Sequence, residues 1–564
     1  MSIYGTMNTA KMALITHQLS LEVTGQNISN VNNPNYTKQE VTLEAAFPIK
    51  PGGSPGMIGT GVRATAIIRR FDQFLESQRT LSRSDAGFWD SKQDFLSRME
   101  VIFNESGTYG LNGRLDSFFK SWQDLAFNPR GLTERTDVVA QGRNLSGVFN
   151  KLNQDMKNLR TDLNTKITSS LDEINRITGE IATYNQVIHE SESNGVNAND
   201  FRDKRDALVR DLSQYVQVNS VEDASTNQIS VMLTNGRSLV IGQTAFQLSS
   251  RTRPDDPQAA DIMWRDTSGV QYNTTSEFSN GNMGAWIGMR DTEFKGYMDK
   301  LDQLAATMIR DLNNVHSAGY GLDGTTGQDF FSGLNIVATA NSANTGAATV
   351  AASIVAPDKL NVHKFQIEFT AANSYNVRDM TTNTVVATEA YAGGPQTSAW
   401  LLGQGMNVAL NGAAAANDKF TVNPAANASL AMAVHQNIIS DTNKIAAGLT
   451  TSQGDGDNAL LLAQSQNSMS MNRSSLATSG TATFANYYNS MVGLVGVSAK
   501  VASASYTQQE GINTEIERRR EQVGGVALDE EMMNLVKFQH AYQAAARLVS
   551  VSDELLQTLL GLGA

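Results

Sequence analysis

Apolar side chains recur at alternating steps of three and four residues at both ends of this chain. Ile3, Met7, Ala10, Leu14, Leu21 and Ile28 make one row. Leu535, Phe538, Tyr542, Ala545, Val549, Leu556 and Leu559 make the other. A row of this period stays on one side of an α-helix and suits side chains that interleave with a partner helix. Each run predicts a helix roughly 40 Å long at about 1.5 Å rise per residue. Neither has a core of its own, so the two stripes are expected to bury against each other or against copies of the same chain. Breakers isolate both runs. Pro34 disfavours helical backbone at Asn33 within Asn30-Val31-Asn32-Asn33-Pro34-Asn35-Tyr36-Thr37. Gly524-Gly525 precedes the last helix, which Asp529, Glu530 and Glu531 open where carboxylates favour the helix dipole.

Between the ends the period alternates between that of a helix and that of a strand. A Pro- and Gly-rich loop spans 48–61, and Val62, Ala64, Ala66 and Ile68 then alternate like a strand. From Phe71 to about Asp211 helical spacing returns, with Leu145, Val148, Phe149, Leu152 and Met156, then Leu171, Ile174, Ile177, Ile181, Tyr184 and Ile188. Region 212–288 reads as β-rich: Ile229, Val231 and Leu233 alternate before the tight-turn pair Asn235-Gly236. Helical spacing resumes from Phe294 to Leu312, and a second β-rich region, 332–426, holds the strands 365–369 and 420–422. A helical stretch rich in Ala, Ser, Gln and Asn is expected from 427 to 523.

The fold class this order predicts is multidomain α+β. Terminal segments 1–33 and 526–564 pair as a coiled coil. Segments 34–211, 289–331 and 427–525 form one discontinuous helical domain, from which the β-rich domains 212–288 and 332–426 bud. A chain of 564 residues exceeds a single hydrophobic core, which agrees with several domains.

Composition narrows the function classes. Only 18% of residues are charged and the net charge is −12, the opposite of the basic face that nucleic acid requires. The basic triplet Arg518-Arg519-Arg520 follows Glu515 and Glu517 in a helical pattern and is expected on a solvated helix face. There is no cysteine, which removes disulfides, thiolate metal sites and cysteine nucleophiles together. Lys11 interrupts the apolar N-terminal positions, so no cleaved signal peptide is expected, and no apolar run reaches the length of a membrane span.

Catalytic and metal chemistry finds no footing. The histidines at 17, 189, 316, 363, 435 and 540 include no pair with helical zinc spacing. Gly59-Thr60-Gly61-Val62 precedes a strand rather than a helix, so it is no dinucleotide loop. Asp323-Gly324 and Asp455-Gly456-Asp457-Asn458 lack the ligand spacing of a calcium loop and are expected to be turns. No catalytic residue, cofactor or metal is expected.

Several blocks carry a resemblance to a known family. Asn27-Ile28-Ser29-Asn30-Val31-Asn32-Asn33-Pro34-Asn35-Tyr36-Thr37-Lys38-Gln39 resembles the N-terminal signature of the flagellar axial proteins, the rod, hook and hook-associated group. Gly59-Thr60-Gly61-Val62, continuing through Arg69-Arg70-Phe71-Asp72-Gln73-Phe74-Leu75-Glu76-Ser77-Gln78, and the ending 526–547 are similar to the hook-associated, junction-forming branch. The strand at 365–369 and the close at 417–422 are similar to β repeats of hook-associated proteins. The family's turn usually has Gly where Asn35 stands; Asn tolerates left-handed backbone, so the turn at Asn30, Pro34, Asn35 and Tyr36 is expected to survive.

The resemblance implies a non-enzymatic structural subunit, secreted by type III export to the extracellular flagellum, at the junction between hook and filament. It implies partners too: copies of itself in a ring, the hook protein, a second junction protein, and a cytoplasmic export chaperone at the C-terminal helix. Ile3, Met7, Leu14, Leu21, Ile28, Leu535, Phe538, Tyr542, Val549, Leu556 and Leu559 are the expected subunit-packing residues. A filament flagellin would share paired terminal helices but not the 59–78 block. A flagellum-associated cell-wall hydrolase would need a carboxylate cleft that no segment here supplies.

Overall fold

The computed structural model describes residues 3–50, 56–103, 110–193, 195–474 and 479–562. Helix α1 (Ile3–Ser29) leads into an antiparallel hairpin of β1 (Gln39–Ala45) and β2 (Val62–Arg69). Four helices follow: α2 (Gln73–Ile102), α3 (Leu111–Phe127), α4 (Leu132–Glu192) and α5 (Asn199–Tyr215). The helical run expected from Phe71 to Asp211 is therefore divided. Asp72 starts α2 by accepting from the Phe74 and Leu75 N–H groups, Gly110 precedes α3, and Asn128-Pro129-Arg130-Gly131 separates α3 from α4.

The first β region has two antiparallel sheets. One is β3 (Val218–Glu222), β4 (Ile229–Leu233), β5 (Ser238–Ile241) and β6 (Thr244–Ala245) in sequential order. The other is β7 (Leu248–Thr252), β8 (Ala260–Arg265) and β9 (Gln271–Asn273). Along β4 the inward Ile229, Val231 and Leu233 are buried, and Gly236 supplies the positive φ of 89° that the turn after it needs. Helices α6 (Gly281–Gly288) and α7 (Phe294–Ala318) run on through a π-helical turn at Met289–Glu293.

The second β region holds β10 (Val337–Ala340), β11 (Thr349–Ile354), β12 (Phe365–Ala371), β13 (Ser374–Asp379), β14 (Thr384–Ala390), β15 (Gln396–Thr397), the short α8 (Ala399–Gly403), β16 (Met406–Asn411) and β17 (Lys419–Asn423). Its larger sheet has the order β10-β17-β12-β13-β14, its smaller β11-β16-β15. Phe365, Ile367 and Phe369 alternate inward with Tyr375, Val377, Phe420 and Val422 to make its core.

The continuous helix expected from 427 to 523 does not form. Among the described residues from 427 to Phe484 the helical pieces are short: α9 (Ala428–Ala431), α10 (Gln436–Ser440), α11 (Asp457–Gln464) and single 3-10 turns at Thr442–Lys444 and Ser465–Asn467. The cause is local polar competition. Asp441 accepts from the Asn443 N–H, and Asp455 takes the N–H groups of both Thr450 and Asp457, bonds that a helix would forbid. Two long helices finish the chain, α12 (Phe484–Gly524) and α13 (Leu528–Leu562). Helix α12 packs on α2, and α13 on α1. The helical layer that α2, α3, α4, α7 and α12 share is centred on the rings of Phe118, Trp122, Phe330 and Phe331. The result is α+β and multidomain, with paired terminal helices and β-rich sheets inserted into a helical body.

Candidate functional site

Helices α1 and α13 run antiparallel: Asn27 meets Glu531, and the His17 ring stacks on Phe538 at 6.3 Å. The side chains most deeply buried on α1 are Ala10, Thr16, Ser20, Val23, Thr24 and Asn27. On α13 they are Glu531, Ala545 and Ser552. The seam is thus built from small and polar residues. Ser20 and Thr24 return their hydroxyl protons to carbonyls one turn back within α1, which satisfies them without a partner helix. The hairpin explains the small residues, because it lies along the same helix. Thr16 Oγ1 donates to the Val62 carbonyl, and a Cβ on Gly61 would stand 3.1 Å from Thr9 Cγ2.

The large apolar residues of the sequence stripes are placed around this seam. Ile3, Leu14, Leu21, Ile28, Leu535, Phe538, Val549 and Leu556 are half-buried. Met7, Tyr542 and Leu559 are exposed. A second row on α13 faces outward altogether: Leu548, Val551, Leu555 and Leu559 at steps of three and four, with Val551 46% and Leu555 54% exposed. Met532, Met533, Val536 and Leu560, and on α1 Tyr4 and Ile15, are exposed as well.

At the root of the helix pair, Asn27 is a four-way hub. Its Oδ1 accepts from the Tyr36 hydroxyl at 2.8 Å and the Gln39 N–H at 3.0 Å. Its Nδ2 donates to the Gln39 carbonyl and to Glu531 Oε2, both at 2.9 Å. One side chain therefore ties α1, the hairpin and α13 together. Lys38 adds ion pairs to Glu530 at 2.8 Å and Glu531 at 3.0 Å. Thr37 N–H donates to Asp203 on α5 at 2.8 Å, Gln39 Nε2 donates to Asp200 at 2.7 Å, and Arg69 pairs with Asp203 and Asp206. The Lys38 N–H donates to the Gly524 carbonyl at 2.9 Å, and a Cβ on Gly524 would lie 2.5 Å from the Arg70 carbonyl, so glycine is required there.

The turn itself differs from expectation at one residue. Asn35 is not among the residues with positive φ, so the turn needs no left-handed backbone there. Its N–H donates to Asn33 Oδ1 and its own Oδ1 accepts from Arg210. Asn30 Nδ2 donates back to the Gln26 carbonyl, Pro34 is exposed, and the Tyr36 N–H closes on the Asn33 carbonyl. The basic triplet also splits. Arg518 and Arg519 pair with Glu515 on an exposed face, while Arg520 turns inward to the Tyr36 carbonyl.

Electrostatics hold the hub in one protonation state. Burial, with Asp200, Asp203 and Glu531 nearby, raises the Tyr36 pKa and keeps its phenol a donor. Burial works against the Lys38 charge, but Glu530 and Glu531 outweigh it and raise the pKa. Burial likewise lifts Asp203, with Arg69 opposing. Among the described residues no cluster of His, Asp or Glu has the makings of a metal site, and no helix is long and apolar enough to cross a membrane.

This arrangement pairs the two ends of the chain, roots them through the 27–39 turn and leaves an apolar row outward. Residues 96–331 match the family described as flagellar hook-associated protein FlgK helical domain, and 339–424 match flagellar hook-associated protein 1, D2-like domain. Residues 524–562 match the flagellar basal body rod FlgEFG protein C-terminal family. Flagellar hook-associated protein 1 of Escherichia coli strain K12 is 27% identical over 560 residues, spanning 99% of both chains. That of Bacillus subtilis strain 168 is 26% identical over 589 residues, spanning 100% of this chain and 99% of its own. The chain belongs to the flagellar hook-associated protein 1 family. Its fold is that of the flagellar hook junction protein FlgK from Burkholderia pseudomallei, with a TM-score of 0.69 at 20% identity over 79% of this chain and all of that one. The 27–39 and 59–78 blocks of this hook-associated chain are the hub and the hairpin.

Proposed function

We propose that this chain is a structural subunit of the bacterial flagellum, located outside the cell at the junction of hook and filament, where it allows the filament to assemble. It is not an enzyme. The observation that carries this reading is similarity to flagellar hook-associated protein 1 along essentially the whole chain, both terminal helices included.

The outward apolar row of α13 gives the reading its physical content. Leu548, Val551, Leu555 and Leu559 each leave about half of their surface in water, and covering the remainder would stabilise by about 1 kcal/mol each. Copies of the same chain in a ring are the proposed cover, with hook protein on one side and a second junction protein on the other. Before assembly an export chaperone would shield the same C-terminal helix. The half-buried Leu14, Leu21, Leu535, Val549 and Leu556, with Phe538 against His17, hold the helix pair, and Ile3, Met7, Ile28, Tyr542 and Leu559 extend the packing to neighbours. In domain terms, 1–33 with 526–564 forms the inner layer. Segments 34–211, 289–331 and 427–525 form the layer around it, and 212–288 and 332–426 project outward.

Deleting the gene tests the reading. The expected result is cells with intact hooks, no filaments, and flagellin shed into the medium. Normal filaments on the hooks of such cells would defeat it.

A further inference from the structure

The helix pair is tied firmly at its root and lightly beyond it. At the root, Asn27 and Lys38 join α1 and the hairpin to Glu530 and Glu531 of α13. Further up α1 one ring pair bridges the seam. His17 lies on Phe538, with centroids 6.3 Å apart and planes inclined at 29°. Above that contact the inner residues are small, Ala10 on α1 and Ala545 and Ser552 on α13. Among the described residues no ion pair joins the two helices in this stretch.

The two nitrogens of that imidazole stand in different surroundings. Nδ1 is enclosed with no hydrogen-bond partner, while the residue as a whole is only half-buried. A proton on Nδ1 would strand a donor in the seam, so the neutral ring keeps its single proton on Nε2. Charging the ring then places a second N–H where nothing accepts it. The Phe538 face offers little in return, because 6.3 Å is at the edge of the roughly 6 Å reach of a cation–π attraction. No acid compensates either. Glu22 on α1 accepts from Gln18, Glu531 on α13 serves Asn27 and Lys38, and Glu44 on the hairpin serves Arg63. Lys11 on α1 and Lys537, His540 and Tyr542 on α13 are the other titratable groups close to the contact in sequence. None of these groups, of either sign, perturbs the ring: burial alone lowers the His17 pKa.

We propose that His17 makes the pairing of α1 with α13 proton-sensitive: the neutral ring closes the seam, and its protonation in mild acid loosens both helices. Open helices take up the proton at the ordinary value of 6.5, and the closed seam resists it. Pairing is therefore complete above that value and weakens as pH falls. At about pH 5.5 the opening equilibrium rises by at most about tenfold, a ceiling set by the protonation of imidazole in the open form. The device belongs to the isolated subunit; its bearing on how the outer α13 row is covered rests on the proposed function.

Amide exchange of the full-length chain at pH 7.5 and pH 5.5 measures the opening, each rate being divided by that of the same amide in an unstructured chain. Protection along α1 and α13 should fall several-fold, up to about tenfold, while α4, β12 and β13 keep theirs. His17→Phe, which cannot take a proton, should give equal protection at both pH values, and His17→Leu repeats the test with a smaller side chain. His540→Gln, at an exposed position of α13, should leave the parent's fall intact. His316, which titrates near 4, and Asp302, near 6, both lie on α7, away from the helices being read. Nitrogen-detected spectra of the ring should show Nδ1 without a proton at pH 7.5. Equal protection at both pH values in the parent, a fall that persists in both H17F and H17L, or a proton on Nδ1 at pH 7.5 would overturn the proposal. Each of these outcomes leaves the flagellar reading standing, because the deletion strain tests that reading separately.

Discussion

His316 is held as a neutral imidazole between two opposed backbone groups. Nδ1–H donates to the Gln328 carbonyl at 2.6 Å, and Nε2 accepts from the Ala446 N–H at 2.9 Å. A second proton would set N–H against N–H, and burial lowers the pKa from 6.5 to about 4. Between those values the unfolded chain binds a proton that the folded chain refuses. Stability from this group is therefore complete above pH 6.5 and is lost as pH falls toward 4, by about 3 kcal/mol. Asp302 works in the opposite sense. It accepts from the backbone N–H groups of Asn427 and Ser429, yet burial raises its pKa from 3.8 to about 6. The folded chain keeps that proton longer, so this contribution falls as pH rises through the same window. Denaturant titrations from pH 7 to pH 4 separate the two: His316→Gln should flatten the acid loss, and Asp302→Asn should steepen it. Identical slopes in parent and variants would refute the assignment. Asn27 makes the third case. Asn27→Ala removes four hydrogen bonds and takes a partner from Glu531 Oε2, the Tyr36 hydroxyl and both Gln39 backbone groups, a loss of about 2–4 kcal/mol. Amide exchange should accelerate along α1 and α13 while β12 and β13 stay protected.

Among the elements, the hairpin is what the apolar pattern hides. Periodicity places α1 and α13 because three- and four-residue spacing is a property of the helix alone. It does not report which side of α1 is covered, because that depends on what approaches. Here the hairpin backbone approaches, meeting α1 at Thr9 and Thr16. The same reason hides Asn27: a mid-helix asparagine is unremarkable until the Gln39 and Tyr36 groups it satisfies are in place. Two signals were available. The family turn at 27–39 marked the hub, and the glycine of the 59–62 block marked the close approach, because Gly61 sits at a φ of 109° against Thr9. The stretch from 432 to 483 went the other way. Its Ala- and Gln-rich composition favours helix, but Asp441 and Asp455 spend their side chains on local backbone groups, a competition that propensity does not count. Gly61→Val tests the hairpin contact. It forces a β-branched residue into left-handed backbone and against Thr9, a cost of about 1–3 kcal/mol. Exchange should rise at β1, β2 and the first half of α1; unchanged protection there would show that the hairpin does not depend on the contact.

At the scale of the whole molecule, the terminal helices have two faces with different duties, and substitution can tell them apart. Ala545 is 4% exposed on the inner face, so Ala545→Asp buries a carboxylate against α1 and should lower the stability of the free subunit by about 2–4 kcal/mol. Val551 and Leu555 lie on the outer face in the free chain. Val551→Asp with Leu555→Asp should therefore leave the unfolding of the purified subunit within about 0.5 kcal/mol of the parent. In cells the order reverses in consequence. The outer-face variant is folded and exported yet gives hooks without filaments, because each neighbour must now bury carboxylates with no partner. If it builds normal filaments, the outer row is not an assembly face, and the proposed packing on neighbouring copies fails while the family assignment stands. If it instead destabilises the isolated subunit as much as Ala545→Asp does, the row is covered by its own chain.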